Sequence, residues 1–161
     1  MKPEKNLYHK FVKNCPDLNI TSIECYNVAG VPDCLIWSKT GGFAMVELKH
    51  TTTNKIKLSP FQILFHTVRG DLINGKHRNF ILVNQAPKGG QRTVKLYGSK
   101  SIQDLLQGLD KAVPLAVDNW ELIQKIIGNQ KNKNAPRPAC QRDITAHRCP
   151  LCQCDILSHR I

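Results

Sequence analysis

Residues 30–50 read GVPDCLIWSKTGGFAMVELKH, and no other stretch constrains the fold as tightly. Two runs of strand-forming residues, VPDCLIW and FAMVELKH, flank SKTGG, a glycine-bearing turn. A hairpin is the expected result. It has to carry Asp33 at the mouth of its first strand, and Glu47 and Lys49 inside its second. Side chains at i and i+2 share one face of a strand, so Glu47 and Lys49 project together while Val46 and Leu48 project the other way. With the turn centred near Thr40 and Gly41, Asp33 falls close to opposite Glu47. Charges inside a half-buried hairpin cost stability unless something binds them.

The rest of the chain supplies what the hairpin packs against. Residues 4–14, EKNLYHKFVKN, put Leu7, Tyr8, Phe11 and Val12 on one side of a helix. ITSIECYNV, residues 20–28, has strand composition. After the polar segment TTTNKIK, the residues LSPF open a second helix, with Ser59 as N-cap and Pro60 at its first position. That helix is expected to run to about Asn74. NFILVN (79–84) reads as a buried strand and RTVKLYG (92–98) as another. Further helices are expected over 101–109, where Ser101 and Asp104 resemble a capping box, and over 118–128.

FAMVELKH, the LSPF helix and NFILVN form a strand–helix–strand crossover, which is right-handed and joins parallel strands. The earlier strands are linked by short turns and pair antiparallel. The expected class is α/β, a mixed central sheet flanked by helices, contained in residues 1–128. Residues 129–139, beginning NQKNKNAPRP, read as a basic linker, and 140–161 as a Cys/His-rich tail.

Composition narrows the class. At 161 residues and 41% hydrophobic, the chain can bury one proper core and is not a disordered sequence. No apolar run reaches membrane-spanning length, and MKPEKNLYHK has no apolar signal core, so a cytoplasmic protein without membrane contact is expected. Seven cysteines, an odd number, argue against a disulfide framework; Cys15, Cys25 and Cys34 read as reduced structural thiols. Lys and Arg total 23 against 12 Asp and Glu, a net charge of +11 spread along the chain. A nucleic acid is the simplest polyanionic partner for it, since neutralising each phosphate releases counterions.

Facing carboxylates repel, and a divalent cation resolves the repulsion. Oxygen ligands of this kind suit Mg2+, which polarises a phosphoryl oxygen and acidifies water. A neighbouring lysine can orient that water and stabilise charge in the transition state. A surface ion pair between Lys49 and either acid is the plainer alternative.

Pro32-Asp33, thirteen residues, then Glu47-Leu48-Lys49 resembles the PD-(D/E)XK nuclease pattern. The spelling GVPD…VELK…KLSPFQ is similar to the VRR-NUC and Holliday-junction-resolvase branch, especially its small phage-encoded members. The resemblance spans residues 4–98 and implies a restriction-endonuclease-like αβββαβ core. It further implies a metal-dependent DNA endonuclease that hydrolyses phosphodiester bonds. Its target is either branched DNA such as a Holliday junction, or a specific site as in homing and restriction enzymes.

On this resemblance Asp33 and Glu47 are metal ligands, joined by the Leu48 carbonyl, and Lys49 is the catalytic lysine. Gln62 would help from the first helical turn, although an ordinary exposed glutamine is the alternative. The implied cofactor is Mg2+, with Mn2+ able to substitute. Many relatives add an acid from the first helix. Glu4 is the only one there, and Glu24, on the strand before the hairpin, is the preferred alternative. One site per chain implies a homodimer or higher homo-oligomer for cutting both strands. A non-catalytic nucleic-acid-binding module is the competing reading, against which the intact Asp, Glu and Lys set speaks.

Lys55, Lys57 and the helix start at Ser59 are expected along the substrate backbone. His66, Arg69, Lys76, His77 and Arg78 would add a second basic patch. In the tail, Cys149-Pro-Leu-Cys152 has the knuckle spacing with which two thiolates hold Zn2+. Cys140 with His147 or Cys154 would complete such a site; the usual second knuckle is absent, and a reduced, unliganded tail is the alternative.

Overall fold

The alternation in FAMVELKH decides the architecture. In the computed structural model, which describes residues 3–23, 29–39, 43–69 and 79–128, it forms the nine-residue strand β3 (Phe43–Thr51). Ala44, Val46 and Leu48 face one hydrophobic core, and Glu47 and Lys49 the other side of the sheet. β2 (Cys34–Ser38) pairs antiparallel with β3 in the expected hairpin, Cys34 opposite Val46 and Ile36 opposite Ala44. One step further along, this register sets Asp33 against Glu47.

β1 (Leu18–Ser22) adds antiparallel to β2; it starts two residues before the expected strand, and 24–28 lie outside the described residues. β4 (Asn79–Gln85) pairs parallel with β3, and β5 (Thr93–Gly98) antiparallel with β4. A two-residue strand, β6 (Ala116–Val117), closes the edge. Among the described residues the strands form one mixed sheet in the order β1-β2-β3-β4-β5-β6. Its single parallel pair is the crossover between β3 and β4.

Helices cover both faces. On the first, α1 (Pro3–Asn14) contributes Leu7 and Phe11, both fully buried with Val46, Leu48, Phe80 and Leu82. Burying each such side chain contributes about 1.5–3 kcal/mol. On the second face, Ile81, Val83 and Tyr97 pack against Ile102 and Leu105 of α3 (Ile102–Gln107). β4 feeds both cores through alternate residues, which is why its sequence is an almost unbroken apolar run. The last described helix, α4 (Trp120–Gly128), sends Ile123 and Ile127 into the first core. No described helix is long and apolar enough to cross a membrane.

Two expectations fail locally. The LSPF helix is α-helical only over α2 (Pro60–Leu64), then widens into a π-helical turn at Phe65–Arg69, where the Thr67 hydroxyl donates back to the Ile63 carbonyl at 2.9 Å. Residues 70–78 lie outside the described residues, with Lys76, His77 and Arg78. Ser101 does not cap α3. Its ψ of 6° keeps the side chain from reaching forward, because the chain enters through the 3-10 turn Ser99–Ser101. Ser59, with an extended ψ of 158°, does cap α2. The linker 129–139 and tail 140–161, carrying Cys140, His147, Cys149, Cys152 and Cys154, also lie outside the described residues, as do Glu24 and Cys25.

Candidate active site

Asp33 is fixed from two sides. Its carbonyl accepts from the Ile23 amide at 2.8 Å, extending the β1–β2 ladder by one step. Its carboxylate Oδ2 accepts from the Leu48 amide at 2.7 Å. The aspartate is thereby clamped across the hairpin to the residue between Glu47 and Lys49. Gly30 makes the approach possible: its φ is +85°, and a Cβ there would lie 2.4 Å from the backbone of Phe61. The GVPD loop thus runs directly against the first turn of α2.

Glu47 is a costly residue to bury. Its side chain is 0% exposed. Lys49 Nζ lies 2.9 Å from Glu47 Oε1, and Gln62 Nε2 donates to the same oxygen at 2.5 Å. Glu47 Oε2, also buried, meets no N–H or hydroxyl donor, and the Asp33 carboxyl lies within hydrogen-bond reach of the Glu47 carboxyl. Burial, with the Asp33 charge adding to it, pushes the Glu47 carboxyl up to about 7 despite the opposing pull of Lys49. A carboxylate kept dry, beside another carboxylate and with a bare oxygen, is destabilising as it stands. The pair, with one oxygen meeting no N–H or hydroxyl donor, is a hard oxygen donor set of the kind a small divalent cation takes.

Gln62 is built into the site rather than exposed as an ordinary helical glutamine. Its amide N–H donates to Ser59 Oγ at 3.2 Å, and its Oε1 accepts from the Ser59 amide at 3.0 Å, a reciprocal capping box. The same Oε1 accepts from Lys49 Nζ at 3.3 Å, leaving Nε2 for Glu47. One glutamine therefore ties the helix start to both charged residues of β3. Of the amides at this helix start, those of Ser59 and Gln62 are spent on this box.

The loop after β3 holds its lysines in place. Thr51 Oγ1 donates to the Lys55 carbonyl at 2.6 Å, and the Leu109 amide donates to the Asn54 carbonyl at 2.7 Å. Ile56 is buried in the second core, so Lys55 and Lys57 on either side of it face outward. Both line a cleft of about 390 Å³ that also holds Lys49, His50 and Glu4.

Glu4 thus shares a cleft with Lys49, while Glu24 lies outside the described residues. No cluster of three or more His, Cys, Asp or Glu residues forms among the described residues. Glu4 therefore stands apart from the Asp33–Glu47 pair.

His66 corrects an expectation. It is 1% exposed and cannot meet a phosphate. Ser99 Oγ gives its hydrogen to the Asn79 carbonyl at 2.7 Å, so the 3.0 Å contact with His66 Nδ1 requires the proton on that nitrogen. His66 Nε2 is left bare and buried. Burial first, and the Lys49 charge second, pull this imidazole down to about 4. Arg69 ends the same turn, its side chain outside the described residues. Cys15 and Cys34 are buried free thiols, as expected, and burial pushes both up to about 12.

Sequence reasoning missed His50, Asn84, Lys10 and Arg92. Asn84 Nδ2 donates to His50 Nδ1 at 3.2 Å, and both line a second cleft with Lys10 and Arg92. No local motif marks these residues; only the pairing of β3 with β4 and the packing of α1 bring them together. No protein-family model matches the chain, and no curated protein matches it.

Proposed function

We propose that the protein is a metal-dependent DNA endonuclease with a restriction-endonuclease-like core. The observation that carries this reading is Glu47: fully buried, one oxygen meeting no N–H or hydroxyl donor, against Asp33 and 2.9 Å from Lys49. A protein that only bound a polyanion would have no use for that arrangement. Asp33 and Glu47 would hold Mg2+, or Mn2+ in its place, with the Leu48 carbonyl as a further oxygen. When bound, the ion would polarise the scissile phosphoryl group and acidify the attacking water.

The chain's own residues do the rest. Lys49 stabilises the negative charge that develops on the phosphoryl oxygens. Gln62 fixes the Lys49 ammonium and the Glu47 carboxylate relative to one another. Lys55 and Lys57 hold the substrate backbone through its phosphates. Cutting both strands calls for a homodimer, because the described residues of each chain carry one such site. In the tail, Cys149 and Cys152, with two ligands from Cys140, His147 and Cys154, would hold a structural Zn2+.

The test is a cleavage assay on labelled single-stranded, linear duplex, four-way junction and plasmid DNA. Preference for the junction assigns branched DNA as the substrate; discrete fragments from plasmid assign a specific site. Lys49→Ala is expected to lose cutting by a hundredfold or more while binding DNA within a few-fold of wild type. Loss of binding with cutting retained would contradict the role given to Lys49.

A further inference from the structure

The cleft beside Lys49 does not end there. His50 also lines the second cleft, of about 380 Å³, with Lys10, Asn84 and Arg92. Lys10 and Arg92 in turn line a third, of about 360 Å³, with Lys13, Asp118 and Trp120. The shared residues set the three clefts side by side, and we take them together as one groove. Lys49 and His50 are neighbours on β3 and point to opposite faces of the sheet. The groove therefore starts on the Glu47 face, passes round the C-terminal end of β3 and continues along α1.

Its far half is basic in a way that a solvated helix does not explain. Lys10 and Lys13 lie three apart on α1, on the same side. Arg92 comes from a different element, just before β5, and converges on them. All three are exposed, and among the described residues none is in an ion pair. Among the described residues the two acids along the route are Glu4 and Asp118, and the Asp118 carboxylate accepts from the Val94 amide at 2.6 Å. In the middle, Asn84 is 4% exposed and its Oδ1 has no partner. At the end, the half-buried Trp120 ring is stacked on Phe11, with centroids 6.5 Å apart.

We infer that this groove holds one single nucleic-acid strand, its phosphates on Lys10, Lys13 and Arg92 and a base against Trp120. Convergent cations suit a polyanion, and an aromatic face at the end of a basic groove is a stacking surface for any base. The turn round β3 selects the single strand. Duplex DNA has a persistence length of about 150 base pairs and resists bending over so short a path, whereas one strand follows it freely. The inference rests on the nuclease reading for where the strand leads, and not for the groove itself.

Fluorescence anisotropy in EDTA, with a labelled single-stranded oligodeoxynucleotide, a blunt duplex and a duplex bearing a single-stranded flap, tests it. In the Lys10→Ala, Lys13→Ala, Arg92→Ala triple variant, single-strand and flap binding are expected to fall tenfold or more. The salt slope for the single strand should fall by about 2, at roughly 0.7 per lost phosphate contact. Blunt-duplex binding should change by less than about threefold. Unchanged single-strand binding, or an equal loss on blunt duplex, would overturn the inference.

A second readout isolates the aromatic end, since the chain has two tryptophans. In Trp37→Phe, added single strand should quench the remaining Trp120 emission, and emission that stays constant would remove Trp120 from the site. The two readings fail separately. Single-strand binding that depends on the three basic residues, with no Mg2+-dependent cutting of any substrate, sinks the nuclease and leaves the groove. Cutting of blunt duplex with strand binding indifferent to the variant does the reverse.

Discussion

Glu47 is held in the least favourable setting a carboxylate can have, dry and facing Asp33, and its neighbours only partly relieve it. Replacing it should separate stability from function. Glu47→Gln keeps an acceptor for Gln62 and removes the buried charge, so the metal-free variant is expected to unfold at higher denaturant than wild type, by about 1 kcal/mol or more. Mg2+ should raise the midpoint of wild type and leave the variant unmoved, because only the native site would bind it. An equal Mg2+ response in both proteins would contradict the ligand role.

His66 makes a separate prediction. Its folded value near 4 lies below the ordinary 6.5, so between those values the unfolded chain binds a proton that the folded chain refuses. Stability from this group is complete above about pH 6.5 and is lost as pH falls toward 4, by as much as about 3 kcal/mol. Urea melts across that window should show the slope in wild type and a shallower one in His66→Gln. Identical slopes would put the acid sensitivity elsewhere.

At the scale of elements, the GVPD loop and α2 form a single unit. Gly30→Ala would both force a side chain into φ +85° and drive its Cβ into the Phe61 backbone. Destabilisation of about 2 kcal/mol or more is expected. Displacing Phe61 also moves Gln62, and a shift of about 1 Å at such a contact costs on the order of a hundredfold in rate. Steady-state cleavage by Gly30→Ala should show that loss in kcat with KM for DNA little changed; full activity would mean that α2 is not positioned by this contact.

The hairpin, its register and the parallel β3–β4 pair were legible because period-two alternation and one turn centre determine them together. Asp33 against Glu47 followed from the same arithmetic. The π-helical turn was not legible, since PFQILFHTVR has an ordinary helical pattern and the widening is a tertiary outcome. Nor was β6, whose two residues carry no periodicity. Ser101 and Asp104 had capping-box spacing and still failed, because Ser99 commits its hydroxyl to the Asn79 carbonyl and the chain enters as a 3-10 turn. The role of Gln62 was only half visible: the sequence offered its proximity, while its bonds to Ser59, Lys49 and Glu47 needed the crossover to be folded.

For the whole molecule, the charge of +11 was visible at once and its arrangement was not. Lys10 and Arg92 are 82 positions apart in the sequence and meet only through the packing of α1 beside the sheet. The tail makes its own prediction: metal analysis of the full chain should return about one zinc per chain, and none would contradict a closed thiolate site.

The most direct test of a metal-dependent active site at Asp33 and Glu47 is a single cleavage experiment. Wild type and Glu47→Ala would each be incubated with labelled four-way junction and plasmid DNA, in Mg2+ and in EDTA. Cutting by wild type in Mg2+ alone, with none by Glu47→Ala, is the expected result. Cutting that persists in EDTA or in the variant would contradict the assignment of these residues.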